Sequence, residues 1–530
     1  MRKRRLILPA IPLGIAAIVL AGCAVTATPA ATTGDTTATS DTATTETSAS
    51  TSVGASAEAI LAANENATVV RDDEWSDADA VDIELTGDGA ETTASGVAVE
   101  GTTVTISEAG VYRLAGSLEG SVVVSAPDDA QVVLILDGVD ISNSDGPAVN
   151  VITADDVAIS LAEGTTNTLA DASAYADDAD ANAALYSSAD LTITGTGTLT
   201  VEGNGNDGIT STDDLAILSG TISVSAVDDA LRGKDSLSIE GGTITLDAGG
   251  DALKSDNDEE ETRGYILIEG GTVDATATDD GLDATTDIVV TGGALGVAAE
   301  GDGLHADASL AISGGAVVVS ESYEALEGVD IFIEGGEIDL TASDDGINAA
   351  GGTETAAGGG MADTGQTLTI SGGTLVVDAG GDGLDSNGSL TITGGTTTVF
   401  GPTESDNGAL DANGAFTVSG GTLLAVGSSG MAVSPGADSA QAWLAALASG
   451  SEGDSVELVD SSGATVASFT AEKTFQSVVF SSAEIVDGAA YTVTVNGETA
   501  ATVTEGIATE GGMGGPGGGT GEGPGGGQRP

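Results

Sequence analysis

Cysteine is almost absent: Cys23 stands alone in 530 residues, which excludes a disulfide within the chain and a thiol catalyst elsewhere in it. Histidine is equally scarce, and the lone His305, set among acids, reads as a solvated side chain rather than a catalyst. Two Trp, six Tyr and six Phe are too few for a surface built of flat aromatic platforms. Basic residues number 12 against 83 acids, a formal net charge of −71. Such a surface repels nucleic acid and anionic lipid, so neither is an expected partner. It favours divalent cations, or ligands bridged by them, and it equally suits a chain kept soluble in salt.

Four of the basic residues, Arg2, Lys3, Arg4 and Arg5, open the chain, followed by an apolar stretch from Leu6 to Leu20 and then Ala21-Gly22-Cys23. That order is a secretory signal, too short and too abruptly ended for a stable membrane span. The Leu-Ala-Gly-Cys ending resembles the lipobox of bacterial lipoproteins, whose cysteine is acylated and becomes the first mature residue. The expected address is therefore extracytoplasmic, with residues 1–22 a signal peptide and Cys23 a lipid anchor in the bacterial cell membrane. Residues 23–58 are nearly all Ala, Thr and Ser with scattered acids, and read as a disordered tether. The Gly-rich tail, 507–530, reads the same way.

What the remainder has is a period. A short apolar alternation followed by a glycine turn recurs at Leu215-x-Ile217, Leu237-x-Ile239, Ile266-x-Ile268, Ile288-x-Val290, Leu310-x-Ile312, Ile331-x-Ile333, Leu368-x-Ile370, Leu390-x-Ile392 and Phe416-x-Val418. The steps are 22, 29, 22, 22, 21, 37, 22 and 26, the long ones holding insertions such as Asp256 to Glu261 and Ala350 to Gln366. A second marker, Asp207-Gly-Ile, Asp229-Ala-Leu, Asp251-Ala-Leu, Asp280-Gly-Leu, Asp302-Gly-Leu, Glu324-Ala-Leu, Asp345-Gly-Ile and Asp382-Gly-Leu, keeps the same beat and the same insertions.

Within one repeat, Leu237, Ile239, Ile244 and Leu246 fall on one face of two period-2 strands, and Gly241-Gly242 supplies the corner between them. The density of Gly, Thr and Val disfavours helix. Short strands joined by corners bury their apolar face by winding and stacking, with successive coils about 4.8 Å apart. The period predicts an all-β fold, a right-handed single-stranded parallel β-helix of about 22 residues per coil over residues 131–436. Val133-x-Ile135, Val157-x-Ile159 and Leu191-x-Ile193 extend it upstream. Residues 59–130 are expected to cap the first coil with irregular strands, and 437–506 to cap the last, beginning with a short helix over Ala440 to Leu447.

Several phrases, VVLILDGV from Val132, AEGTTNTL from Ala162, LTITGTGTLTV from Leu191, NDGITSTDD from Asn206 and DDALRGKD from Asp228, together resemble the bacterial family of carbohydrate-binding domain-containing proteins. The resemblance covers roughly 80 to 500. Members look like polysaccharide-lyase β-helices and are associated with binding cellulose and acidic, pectin-like sugars with calcium, so the resemblance implies glycan binding.

Stacked coils turn columns of sequence into rows on the surface. The Asp-Gly-Leu column crowds carboxylates, and two of them about 5 Å apart repel by roughly 3 kcal/mol at an effective dielectric near 20. Calcium relieves that repulsion by taking six to eight oxygens, although aspartates that merely form turns account for the same column. Candidate metal ligands are Asp279, Asp280 and Asp283 with Asp251 and Asp256, then Asp207, Asp228 and Asp229 with Asp251, and then Asp382 and Asp385 with Asp406 and Asp411. The next column reads Thr210, Arg232, Lys254, Asp283, His305, Glu327, Asn348 and Asp385. Arg232, Lys234, Lys254 and Arg263 fall in two adjacent coils and are candidate ligand-binding cations for an acidic sugar, or simple neutralisers of the acids. The expected function is calcium-assisted polysaccharide binding by a monomer at the cell surface. A calcium-dependent polysaccharide lyase, with Lys254 or Arg232 as the base, and a structural adhesin are the alternatives. Trp75 and Trp443 lie outside the repeats, while Tyr265 and Tyr323 suit packing better than stacking. Together these tilt the reading from cellulose toward acidic polysaccharide.

Overall fold

The computed structural model describes residues 56–508 apart from 177–178 and 352–361. Cys23, the signal peptide 1–22, nearly all of the tether 23–58 and nearly all of the tail 507–530 lie outside the described residues. Among those described, no helix is long and apolar enough to cross a membrane.

Among the described residues the regular structure is nearly all strand, and most strands pair in parallel with their equivalents one repeat away. One repeat contributes Ser236–Ile239 to a first long ladder, Leu253–Ser255 to a second and Thr243–Ala248 to a third. Register is set residue on residue: Leu215 pairs with Leu237, Ile222 with Ile244 and Leu231 with Leu253. The side chains of Leu237, Ile239, Ile244, Leu246 and Leu253 are all buried, and one continuous core runs from Ile83 to Val479. Each such side chain contributes roughly 1.5–3 kcal/mol by leaving water. The architecture is that of a β-solenoid.

Corners between the first-ladder and third-ladder strands of a coil need a backbone that L side chains resist. The second glycine of each pair carries a positive φ, +82° at Gly315, and a Cβ there would stand 2.8 Å from the backbone of Gly292 in the coil below.

Upstream, the structure departs from the expected boundaries. Parallel pairing already includes Val81–Gly87 and Gly110–Glu119, so coils begin well before residue 131. The free edge of the first coil is covered by antiparallel strands Ala90–Thr92 and Val97–Glu100. Val132 pairs with Val157 and Leu134 with Ile159, which turns Val133 and Ile135 outward rather than into the core. Five consecutive apolar residues, Val132 to Leu136, carry no phase, and a one-residue slip exchanges the two faces.

Residues 56–80 cap no coil end. They form a strap along the outside of the first ladder. The helix Ala57–Ala63 lays Ala57 and Ile60 on Val289, Ala311 and Phe332. The chain then moves toward earlier coils through Asn64 Nδ2 to Asp287 (3.0 Å), Thr68 N to Asp214 (2.7 Å) and Val70 N to Thr192 Oγ1 (3.0 Å). Val70 covers the outward Val133 and Ile135.

At the other end, Thr422–Gly427 is closed by the antiparallel strand Phe475–Ser481, which also pairs with Trp443–Gly450. That second strand replaces the expected helix over Ala440 to Leu447. Alanine-rich helix propensity is outweighed by pairing with Phe475–Ser481 and by burial of Trp443 and Leu444. A separate four-stranded antiparallel sheet completes this end.

The corner geometry makes a prediction. Gly315→Ala should lower stability by roughly 1–3 kcal/mol from strain, plus the contact with Gly292. Gly138→Ala, at φ +80° with nothing within 4 Å of the new Cβ, should incur the strain alone. Equal losses in chemical denaturation would show that the coil-to-coil approach at Gly315 does not matter.

Candidate metal and ligand face

The second ladder is built of three-residue strands such as Leu231–Gly233, Leu253–Ser255 and Leu282–Ala284, in which the outer two residues are buried and the middle one is half-buried. Register stacks those middle residues into a row: Thr210, Arg232, Lys254, Asp283, His305, Glu327, Asn348 and Asp385. The column expected from the sequence is therefore a physical row on one face.

Beside it runs the acidic marker column, held by a repeated bond. Asp251 N–H donates to Asp229 Oδ1 (2.9 Å), Asp280 N–H to Asp251 Oδ1 (2.8 Å), Asp302 N–H to Asp280 Oδ1 (2.6 Å) and Glu324 N–H to Asp302 Oδ1 (2.9 Å). Asp382 N–H donates to Asp345 Oδ1 (2.6 Å) in the same way. One oxygen of each carboxylate thus closes the corner above it, as a turn-forming aspartate does, and the second is left for other partners, Lys254 in the case of Asp251. Burial pushes Asp229 up to about 7, Glu324 to about 8, Asp345 to about 6, Asp382 to about 8 and Asp385 to about 7, with neighbouring carboxylates adding to it in each case.

Among the described residues, three groups could hold an ion. Asp251, Asp279 and Asp280 offer ligand atoms within 4.8 Å of one another, as do Asp280, Asp283 and His305, and Asp302, His305 and Glu327. Of the first expected cluster, Asp279, Asp280 and Asp251 come together and Asp283 joins through His305, while Asp256 is engaged by Arg232. Among the described residues, neither Asp207, Asp228 and Asp229 with Asp251 nor Asp382, Asp385, Asp406 and Asp411 closes into such a group. Asp207 is instead buried against Thr210 Oγ1 at 2.9 Å, and Asp228 and Asp406 are exposed.

The cations divide. Arg232 grips Asp256 through Nε (3.2 Å) and Nη2 (2.5 Å). Lys254 pairs with Asp251 and, at 3.1 Å, with Asp283. Burial would lower the Lys254 pKa, but Asp251, Asp229 and Asp283 outweigh it and hold the ammonium well above its ordinary range. Lys234 is half-buried and forms no ion pair among the described residues. Arg263 departs from expectation: it pairs with Asp235 and with Glu65 of the strap (3.0 Å), lining a pocket of about 110 Å³ with Asp190, Asp213, Asp214 and Tyr265. The insertion Asp256 to Glu261 precedes Arg263 and carries it round to the first ladder, away from the row.

His305, read from the sequence as a solvated ladder side chain, belongs to two of the three candidate groups, and Glu327 and Asp302 join it there. The signal was present in the column itself, where His305 and Glu327 are consecutive. Tyr265 is buried, its hydroxyl donating to Glu65 O at 2.8 Å. Tyr323, immediately before Glu324, is 51% exposed and is the one exposed large aromatic among the described residues.

A model of carbohydrate-binding domain-containing proteins matches residues 100–366 and 302–512, spanning the ladders and the row. The chain belongs to that family. A carbohydrate-binding domain-containing protein of Acetivibrio thermocellus is 35% identical over 166 residues, 30% of this chain and 54% of the relative, so the match spans about half that relative's length. A solved structure of the polysaccharide lyase-like protein from C. thermocellum, a gadolinium derivative, shares 34% identity over 44% of this chain and 96% of its own, with a TM-score of 0.43.

The upward-shifted acids set a pH dependence. Unfolding would return Asp229, Glu324, Asp345, Asp382 and Asp385 to ordinary carboxylate values, so between about pH 4 and about pH 8 the folded chain holds protons that the unfolded chain has released. Their contribution is present at low pH and lost as pH rises through that window. In chelator, the calorimetric Tm should fall from pH 5 to pH 8, and Asp382→Asn should flatten the fall. A Tm that climbs over this range contradicts the burial of these acids.

Proposed function

We propose that this protein binds polysaccharide through the second-ladder row, with calcium as the bridge and an acidic, pectin-like chain as the preferred ligand. Asp251, Asp279 and Asp280 carry the reading. Oxygens bound to one calcium ion at 2.3–2.6 Å lie within about 5 Å of each other, and these three carboxylates meet that condition. Their donors are all oxygen, which suits a hard cation. Asp279 is exposed, leaving the ion open to a uronate from solvent. Lys254 stands beside Asp251 and supplies positive charge for a second sugar oxygen. Tyr323 offers an aromatic face in the same run of coils. Family membership supports a carbohydrate ligand.

The role is binding without catalysis. A lyase base must take a proton, and Lys254 is held protonated by the carboxylates around it while Arg232 is held by Asp256. In this reading the coils wind right-handed, as parallel crossovers do. Cys23 carries the lipid that holds the protein at the outer face of the bacterial membrane, and the chain acts as a monomer.

Isothermal titration with polygalacturonate tests it. Binding is expected with calcium and is lost in chelator, and Asp279→Asn should weaken it at least tenfold without altering the Tm in chelator. Absence of binding in both conditions overturns the proposal, as does release of ultraviolet-absorbing unsaturated product that Lys254→Ala abolishes.

A further inference from the structure

The chain's one histidine stands on the row where carboxylates are densest. His305 Nδ1 lies 3.7 Å from Asp280 Oδ2 and 3.8 Å from Asp283 Oδ1. Nε2 lies 3.7 Å from Asp307 Oδ1 and 3.8 Å from Glu327 Oε2. All four separations exceed a hydrogen bond, so both ring nitrogens face acids and bond none of them. Plain neutralisation looks different on the same row, where Lys254 reaches Asp283 at 3.1 Å and Arg232 reaches Asp256 at 2.5 Å in direct contact.

The open distance has a natural occupant. A nitrogen and an oxygen sharing a metal through bonds of about 2.1 Å stand about 3.4–3.6 Å apart at tetrahedral to trigonal angles. The separations around Nδ1 need close by only a few tenths of an ångström to reach this. Two rungs further on the same row, Asn348 is also incompletely satisfied. Its Nδ2 donates to Glu324 Oε2 at 2.9 Å, yet its Oδ1 is buried with no donor.

We propose that Asp280, Asp283 and His305 form a mixed nitrogen–oxygen site for a first-row transition metal of the zinc class, bound through Nδ1. Imidazole selects zinc, copper and nickel, whereas calcium takes oxygen donors. Metal-bound histidines pass their other N–H to a carboxylate, and Glu327 and Asp307 stand where that N–H points. The His305 side chain is 30% exposed, so three protein ligands leave a position open toward solvent. This site shares Asp280 with the calcium site but differs from it in donor chemistry, and it does not depend on glycan binding.

Zinc titration and copper electron paramagnetic resonance on the full mature chain, freed of metal and carrying Cys23→Ser to remove the one thiol, test the assignment. One zinc ion should bind, and the copper spectrum should show hyperfine coupling to a single imidazole nitrogen. His305→Gln should abolish that coupling and weaken zinc at least a hundredfold. Asp283→Asn should weaken zinc at least tenfold, and Asp279→Asn should leave it unchanged. His305 is partly exposed, so an unchanged circular dichroism melt for His305→Gln is expected; if that variant unfolds, Asp283→Asn and the copper spectrum decide. A copper spectrum without nitrogen coupling, or zinc affinity indifferent to both substitutions, overturns the site. Polygalacturonate binding, measured with calcium and no zinc, would be untouched by that failure.

Discussion

Parallel hydrogen bonding between equivalent strands of successive coils governs everything else in this molecule. Once Leu231 pairs with Leu253 and Arg232 with Lys254, the vertical neighbour of every residue is decided by the repeat and no longer by local preference. For apolar residues this is wholly favourable, because like stacks on like in a continuous core. For the acidic column it is not, since the same register brings carboxylates close together. Each acid offsets part of the repulsion by accepting the N–H of the next, and a hydrogen bond to a charged group is worth about 1.5–3 kcal/mol. That is comparable with the roughly 3 kcal/mol of repulsion between carboxylates about 5 Å apart at an effective dielectric near 20. The backbone bond alone therefore leaves the row near balance, and any further stabilisation has to come from cations.

Those cations are distributed unevenly. Arg232 and Lys254 serve the early coils through Asp256, Asp251 and Asp283. Further on, Glu324, Asp345, Asp382 and Asp385 have no basic partner among the described residues, and there burial and mutual repulsion raise Glu324 and Asp382 to about 8. Protons do the work of counter-ions at that end. Between the two regimes lie the groups built on Asp251, Asp279 and Asp280 and on His305, where oxygens and an imidazole are close enough to share an ion. A polyanionic sugar would be repelled by most of this surface, so a family member that binds one needs its positive charge concentrated, and this is the stretch where lysine and metal-ready carboxylates coincide.

Much of this was legible in the sequence because a solenoid converts spacing into position. The column from Thr210 to Asp385 stacks as the 22-residue steps imply, and Asp251, Asp279 and Asp280 meet as the spacing suggested. Spacing fails where phase is ambiguous or the chain leaves the repeat. Val133 and Ile135 sit in an unbroken apolar run and turned outward. Arg263 follows an insertion and moved to another face. The helix expected at Ala440 to Leu447 had propensity in its favour and a strand partner, Phe475–Ser481, that only the tertiary fold supplies. The strap did have a signal. In the Leu-x-Ile pattern the middle residue faces out, and Ser238, Thr369 and Thr391 are polar there. Leu267, Val289, Ala311 and Phe332 are apolar in four consecutive coils. An outward apolar stripe asks for a cover, and residues 56–80 provide it.

The strap also bears on which face is left for a ligand. A stack of repeats in which each contacts only its neighbours has no long-range ties of its own. The strap adds them, reaching Glu334 at Ala57 N (3.1 Å) and Thr192 at Val70 N (3.0 Å), so distant coils are bound to one segment. It does so entirely over the first ladder, which is thereby occupied. The third ladder shows solvent a regular array of Thr243, Thr245 and Asp247 and of Thr272, Asp274 and Thr276, short polar side chains whose hydrogen bonding water already satisfies. Among the described residues, the groups whose oxygens and imidazole are close enough to share an ion all gather along the second ladder. Binding energy comes from groups that the free protein leaves poorly satisfied, and this fold gathers them on one face.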